Sequence, residues 1–277
     1  MISGRDEDPE KSFAILILLA LVAGALKILG GVIYSSRAVT VDAATSIGNI
    51  VSVLLISRFH RLSMRPPDKD HHYGHARLAF GGDLYTLMIY SFIAGLLTID
   101  LVQSLGERYE ISYEASVFAA LGTILYALLI VLSKRIGRVV EFYWRLSFIE
   151  IIEGVVATLA ALAGALISYL IDLGGGFALY TYLLVELFAS SKRLISDISD
   201  RSSEEIERVI ISILSEKKSI KLKELRVREI YDETYFSDII VEIPSNMSIK
   251  EAHEIIDEIE KKLREKRIYA NIHMEPM

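Results

Sequence analysis

Six long apolar runs, each near the ~20 residues that a helix needs to cross a bilayer, constrain this chain more than any other feature. They are Phe13–Tyr34, Val39–Phe59, Leu84–Leu105, Ala115–Ser133, Leu146–Ile171 and Gly176–Leu194. As buried helices of a soluble protein they would leave too little polar surface to cover them. The chain is therefore expected to be an integral membrane protein with six transmembrane helices in residues 1–199. Met1–Lys11 is acidic rather than basic, and the first run is long enough to span, so a cleaved leader is not expected. Hydrophobic residues make up 52% and charged residues 24% of the sequence. Those figures coexist only if the charge is segregated.

Lys and Arg set the orientation. Arg58, Arg61, Arg65, Lys69 and Arg77 fall between the second and third runs, and Lys134, Arg135, Arg138 and Arg145 between the fourth and fifth. The alternate loops carry only Arg37 and Arg108. Positive residues stay in the cytoplasm, which places both termini there, with the cell membrane as the expected location. There is no Cys, which excludes disulfides, thiolate metal sites and Cys nucleophiles. The net charge of −6 argues against a nucleic-acid partner.

Beyond Ser199 the pattern changes to that of a small water-facing domain, residues 200–277. An amphipathic helix is read at 202–217, strands at 222–230 and 236–243 with Tyr231–Tyr235 as the hairpin loop, a second helix at Ser248–Lys266, and a third strand at Tyr269–Glu275. Ser248 followed by Glu251 is a capping-box pattern. The order α-β-β-α-β predicts a two-layer α+β fold with an antiparallel sheet.

Ionisable groups inside a span are costly, so each is a functional candidate. Asp42, Thr45, Ser46, Asn49 and Ser52 share one helical face of the second run. Ser147, Glu150, Gly154, Thr158 and Ala161 form a small and polar stripe on the fifth, with Glu153 beside it. Lys27 lies in the first run. Three carboxylates against one Lys leave a site that wants a cation or protons, unless the groups form only a structural network. Asp83, Asp100 and Glu186 are further acids in or beside spans, and the sequence gives no partner for Glu186. Between the second and third runs, Asp68, His71 and His75 offer a carboxylate and two imidazoles within eight residues. This set suits Zn²⁺ and similar ions, and an i, i+4 helical turn would bring both rings to one side. No nucleophile–base set or phosphate-binding loop points to an enzyme.

The phrase PPD-x-x-H-x-Y-G-H-x-R over Pro66–Arg77, Ser36-x-Ala38 with Asp42 and Ser46, Lys27 with the following glycine pair, and MSIKEAHEIIDEIEKKLREK followed by ANIHMEP resemble the cation diffusion facilitator family. The resemblance implies six transmembrane helices plus a ferredoxin-like cytoplasmic domain, a homodimer, and proton-coupled export of a divalent metal such as zinc, manganese or iron. The family's transport ligands fall on Thr45, Asn49, Glu150 and Gly154, of which only Glu150 is ionisable. Asp42 and Glu153 are the neighbours that could restore charge. An all-oxygen site favours Mn²⁺, Fe²⁺ or Mg²⁺-like ions over Zn²⁺ relative to the usual site. The alternative is a non-transporting member that binds metal and regulates or scaffolds a partner. The resemblance also implies a loop site at Asp68, His71 and His75, and a cytoplasmic site at His253, His273 and Glu275. There, two positions that often hold His are Lys223 and Ile240. It further implies a charged interlock between Arg77 and Asp200.

Overall fold

The computed structural model describes residues 9–133, 141–231 and 234–277. These form two compact units, one of 9–58 with 82–133 and 141–191, and one of 59–81 with 192–231 and 234–277. Lys134, Arg135 and Arg138 lie outside the described residues, as do the central two residues of the expected hairpin loop.

Six helices are long and apolar enough to cross a membrane. They are α1 (Pro9–Ile28), α2 (Arg37–Ser63), α3 (Ala79–Ser104), α4 (Glu114–Ser133), α5 (Glu141–Leu166) and α6 (Tyr169–Ile198). A five-residue π-helical turn, Leu29–Ile33, continues α1. Their sequences contain the cause of their packing. Small residues such as Ala20, Ala23, Ala38, Ala115, Ala119, Ala157 and Ala161 are buried between helices. Large ones such as Leu18, Phe92, Leu96, Ile124 and Phe188 face outward. Lipid tails give no hydrophobic drive for helices to associate, so close approach through small residues and buried polar contacts takes that role.

The break between α5 and α6 falls at Ile167–Ser168, not after Ile171 as the apolar run predicts. The hydroxyl of Ser168 accepts the N–H of Leu170 at 3.3 Å and starts α6 there. Gly174 and Gly175, which fall between the two apolar runs, lie inside α6. A Cβ at Gly175 would strike Ala160, so the absence of one is what lets α6 lie against α5.

The tail unit carries α7 (Glu204–Ser215), β1 (Lys221–Tyr231), β2 (Thr234–Ile243), α8 (Ile249–Glu265) and β3 (Ile268–Pro276). The sheet order is β1-β2-β3. β1 and β2 pair antiparallel, but β2 and β3 pair parallel, which corrects the expected all-antiparallel sheet. The physical reason is α8: a helix between two strands is the crossover that parallel neighbours need. Ile210, Leu214, Ile239, Val241, Ile256, Ile259, Leu263 and Ile268 form the core between helices and sheet. Each such side chain contributes roughly 1.5–3 kcal/mol when removed from water. The capping box forms as read: Ser248 accepts the Glu251 N–H at 3.2 Å, and the Glu251 carboxylate accepts the Ser248 N–H at 3.0 Å.

Candidate functional site

Among the described residues, two groups bring three potential metal ligand atoms within 4.8 Å of one another: Asp42 with Glu150 and Glu153, and Asp68 with His71 and His75.

The first is built by the facing stripes of α2 and α5, with α1 and α4 completing it. Asp42, Glu150 and Lys27 are all buried. Lys27 Nζ lies 2.7 Å from Asp42 Oδ1, 3.0 Å from Ser46 Oγ and 3.2 Å from Glu150 Oε2. Ser46 donates to Glu150 Oε2 at 2.5 Å, and Asn49 Nδ2 donates to Glu150 Oε1 at 2.9 Å. Thr45 Oγ1 is 3.0 Å from Glu153 Oε2 and 3.0 Å from the Asp42 carbonyl. Asp42 Oδ2 is buried and has no hydrogen-bond partner. A buried carboxylate oxygen without a partner is expensive, and a cation is the species that would satisfy it.

Gly154 does not stand in an open space where a carboxylate is merely missing. A Cβ there would run into Thr123 of α4, whose own Cβ is 3.2 Å away. Glu153, one residue earlier on the same helix, joins Glu150 and Asp42 in the group. Of the polar residues read on the two stripes, Asp42, Thr45, Ser46, Asn49, Glu150 and Glu153 are linked into one cluster, whereas Thr158 donates to its own helix at Gly154. Ser52 turns away and donates to its own helix at Gly48.

The second group lies in the segment between α2 and α3. Asp68 and His71 are exposed while His75 is buried. The rings are not aligned by a helical turn, as the i, i+4 spacing would predict. Asp68 Oδ1 accepts the N–H of Asp70 at 3.0 Å and of His71 at 2.8 Å, folding the chain back on itself. Gly74 then turns it at φ 81°, a conformation a side chain resists. The His71 and His75 rings end 4.2 Å apart. His75 Nδ1 is 3.1 Å from the Pro66 carbonyl, which can only accept, so Nδ1 carries hydrogen. Nε2 then faces Asp68 Oδ2 at 3.2 Å. On a neutral ring that is a lone pair against a carboxylate, and a proton or a metal ion reconciles them. Desolvation pushes the Asp68 carboxyl up, but the Asp70 N–H, the His71 ring and N–H and the His75 ring outweigh it. The group is held below the usual carboxylate range.

The cytoplasmic candidates are spread out. His253 is exposed on α8, 3.9 Å from Asp257. His273 and Glu275 lie on β3, opposite Ile240 and Glu242 of β2. Glu275 is hydrogen-bonded to Lys223, which holds its carboxyl below the usual range and pushes the Lys223 ammonium up. Arg77 and Asp200 meet in an ion pair, with Arg228 Nη1 3.6 Å from the same carboxylate.

Sequence reasoning missed Asp172. It is buried on α6 and accepts from the Ser36 hydroxyl at 2.5 Å, the Arg37 N–H at 2.7 Å and the Tyr109 hydroxyl at 3.0 Å. Arg37 pairs with Asp100 at 2.7 Å. Burial and then the charge of Asp172 push the Tyr109 hydroxyl up. The signal was an acid five residues past the true break between α5 and α6, hidden by placing that break too late. Glu186 accepts from Ser190 at 3.2 Å.

Residues 13–199 match a family model described as the cation efflux transmembrane domain, and residues 201–277 one described as the cation efflux protein cytoplasmic domain. The manganese efflux system protein MneS of Bacillus subtilis strain 168 is 27% identical over 292 residues, covering 97% of this chain and 96% of that one. MneP of the same strain is 23% identical over 293 residues, covering 95% and 94%. The solved metal-bound C-terminal domain of the CzcD transporter from Thermotoga maritima is 28% identical. It covers 26% of this chain and 87% of that one, at a TM-score of 0.25.

Proposed function

This chain belongs to the cation diffusion facilitator family of metal efflux transporters, and we propose that it exports Mn²⁺ through the site between α2 and α5. One observation carries the reading. The site offers carboxylates from buried Asp42 and Glu150 and half-buried Glu153, with the Thr45 hydroxyl oxygen on Glu153 and the Asn49 amide N–H holding Glu150, and no imidazole or thiolate among its described residues. Oxygen ligands suit hard cations such as Mn²⁺, whereas Zn²⁺ gains more from nitrogen and sulfur. Two relatives named as manganese efflux proteins support the same cargo. Iron(II) is the nearest competitor on ligand chemistry.

In this reading protons move the other way, because a carboxylate that releases a metal ion is free to take a proton at the same oxygen. The Lys and Arg placement and the cytoplasmic-domain match support cytoplasmic termini in a cell-membrane protein. The working unit is a homodimer, with residues 1–199 as the membrane part and 200–277 as the cytoplasmic part. The loop group of Asp68, His71 and His75 holds a Zn²⁺-like ion, and His253, His273 and Glu275 hold metal only after Glu275 leaves Lys223.

Vesicle flux tests this directly. Purified protein in liposomes should carry Mn²⁺ faster than Zn²⁺, and Glu150→Gln should lower Mn²⁺ flux at least ~10-fold, the scale of losing one charged contact. Equal fluxes of the parent and the variant would remove the site from the transport path.

A further inference from the structure

We infer that Lys27 is a tethered competitor of the transported ion, set into the site to weaken its affinity and speed its release. The inference rests on the reading of Asp42, Glu150 and Glu153 as the transport site.

Lys27 has three N–H donors, and their three acceptors are Asp42 Oδ1, Ser46 Oγ and Glu150 Oε2. The ammonium therefore sits where a metal ion between Asp42 and Glu150 would have to sit. Divalent ions of this kind bind oxygen at roughly 2.0–2.6 Å. Such an ion and the ammonium cannot share Asp42 Oδ1 and Glu150 Oε2, because that would place three positive charges within a few ångströms in a medium of low dielectric. One cation must withdraw for the other to bind.

The protein around Lys27 is shaped to hold its side chain, which is fully buried. On α4, Gly122 leaves room for the stem: a Cβ there would come within 2.9 Å of Lys27 Cγ. One turn on, the ring of Tyr126 lies 4.7 Å from Nζ and gives the ammonium an aromatic face alongside its three acceptors. Asp42 Oδ2, buried and without a hydrogen-bond partner, gives an arriving ion an oxygen that Lys27 does not hold. The charge balance agrees. Three carboxylates carry more negative charge than either the ammonium or a divalent ion supplies alone, so each is an acceptable occupant in turn. A site of three acids, two of them buried, without Lys27 would hold a divalent ion tightly, and a transporter needs binding weak enough to let go.

The test uses the full-length protein with His71, His75, His253 and His273 changed to Ala, so that Mn²⁺ reports on the membrane site. Free and bound Mn²⁺ are counted by electron paramagnetic resonance, and flux is measured in liposomes. Lys27→Gln keeps hydrogen-bond donors but loses the charge. It should bind Mn²⁺ at least tenfold more tightly and show a lower KM together with a lower maximal flux. Lys27→Arg keeps the charge and should bind no more tightly than the parent. A structural counter-ion would instead lose binding and flux in the neutral variant. Lys27→Gln that folds and binds Mn²⁺ equally or more weakly overturns the inference. Lys27→Met is the second neutral variant, and if neither folds, Lys27 is a structural counter-ion and the inference falls. Glu150→Gln separates the two levels. If it leaves Mn²⁺ binding intact, the underlying site reading fails. If it abolishes binding while Lys27→Gln gives no tightening, only the role of Lys27 fails.

Discussion

Gly154 occupies a position where the family usually carries an aspartate, yet its environment is built around glycine. A methyl group added at 154 meets Thr123 on α4. Gly154→Ala should therefore destabilise the bundle by about 1–3 kcal/mol, the usual range for overpacking. Thr123→Ala in the same chain should recover most of that loss, as read by thermal unfolding in detergent. Without the rescue, the contact is not the cause. At the loop, His71→Ala with His75→Ala should lower Zn²⁺ stoichiometry by one per chain in calorimetry, and an unchanged count would mean that no ion binds there. The pH dependence has a definite sign. The folded carboxyl of Asp68 is held down, so its contribution to the turn is complete above the ordinary carboxylate range and fades only as pH falls through the lowered value. Zn²⁺ lost on mild acidification should therefore not follow the Asp68 carboxylate, and calorimetry of Zn²⁺ binding across that pH range checks this. Most of the membrane site was legible because polar residues in an apolar helix stand out. That Glu153 joins the group while Gly154 packs against Thr123 was only half legible, since it depends on a threonine of a helix the stripe argument never brought in.

The elements show what apolar patterning resolves and what it leaves open. α1 to α4 start and stop within a few residues of the apolar runs, because lipid contact demands continuous apolar sequence. The α5–α6 break does not, because Ile167, Leu170 and Ile171 keep the apolar run going through it, and the glycines of α6 serve helix packing. In the tail, strand positions followed from alternation, but alternation is the same in parallel and antiparallel strands. The orientation of β3 was readable only from the 17-residue helix α8 that precedes it. Asp172 joins α6 to the start of α2 and to the segment between α3 and α4 through Ser36, Arg37 and Tyr109. Asp172→Ala strands three donors, and hydrogen bonds to a charged group contribute ~1.5–3 kcal/mol each. A fall of at least about 2 kcal/mol in stability is expected, with Asp172→Asn retaining part of it. Thermal scans of both variants check this, and equal melting of Ala and Asn variants would show that the acceptor oxygen is immaterial.

At the scale of the whole molecule, Arg77 and Asp200 form an ion pair within the tail unit, and a part for that pair in assembly is a proposal to be tested. Asp200 adopts φ 57°, a left-handed conformation that Asp tolerates better than most residues, just past the end of α6. The carboxylate is thereby placed between Arg77 and Arg228. An Arg can hold a carboxylate through two parallel hydrogen bonds, which makes the pair directional. The two side chains remain partly exposed, so solvent screening weakens the pair's direct contribution to stability. Its expected role is to hold the start of α3 and the end of α6 in the arrangement that two subunits share. Arg77→Ala should then lower both the crosslinked dimer fraction and metal flux while changing the melting temperature little. Exchanging the charges, Arg77→Asp with Asp200→Arg, should recover only part of the loss for two stated reasons. An Arg at 200 fits the left-handed backbone less well than Asp, and it faces Arg228. Adding Arg228→Glu to the exchanged pair removes that repulsion and should raise recovery further. Crosslinking and liposome flux on the single, double and triple variants decide the matter. An Arg77→Ala protein with parent-like dimer fraction and flux, or an exchange no better than the single change even with Arg228→Glu, would mean that the pair is a surface contact with no part in assembly.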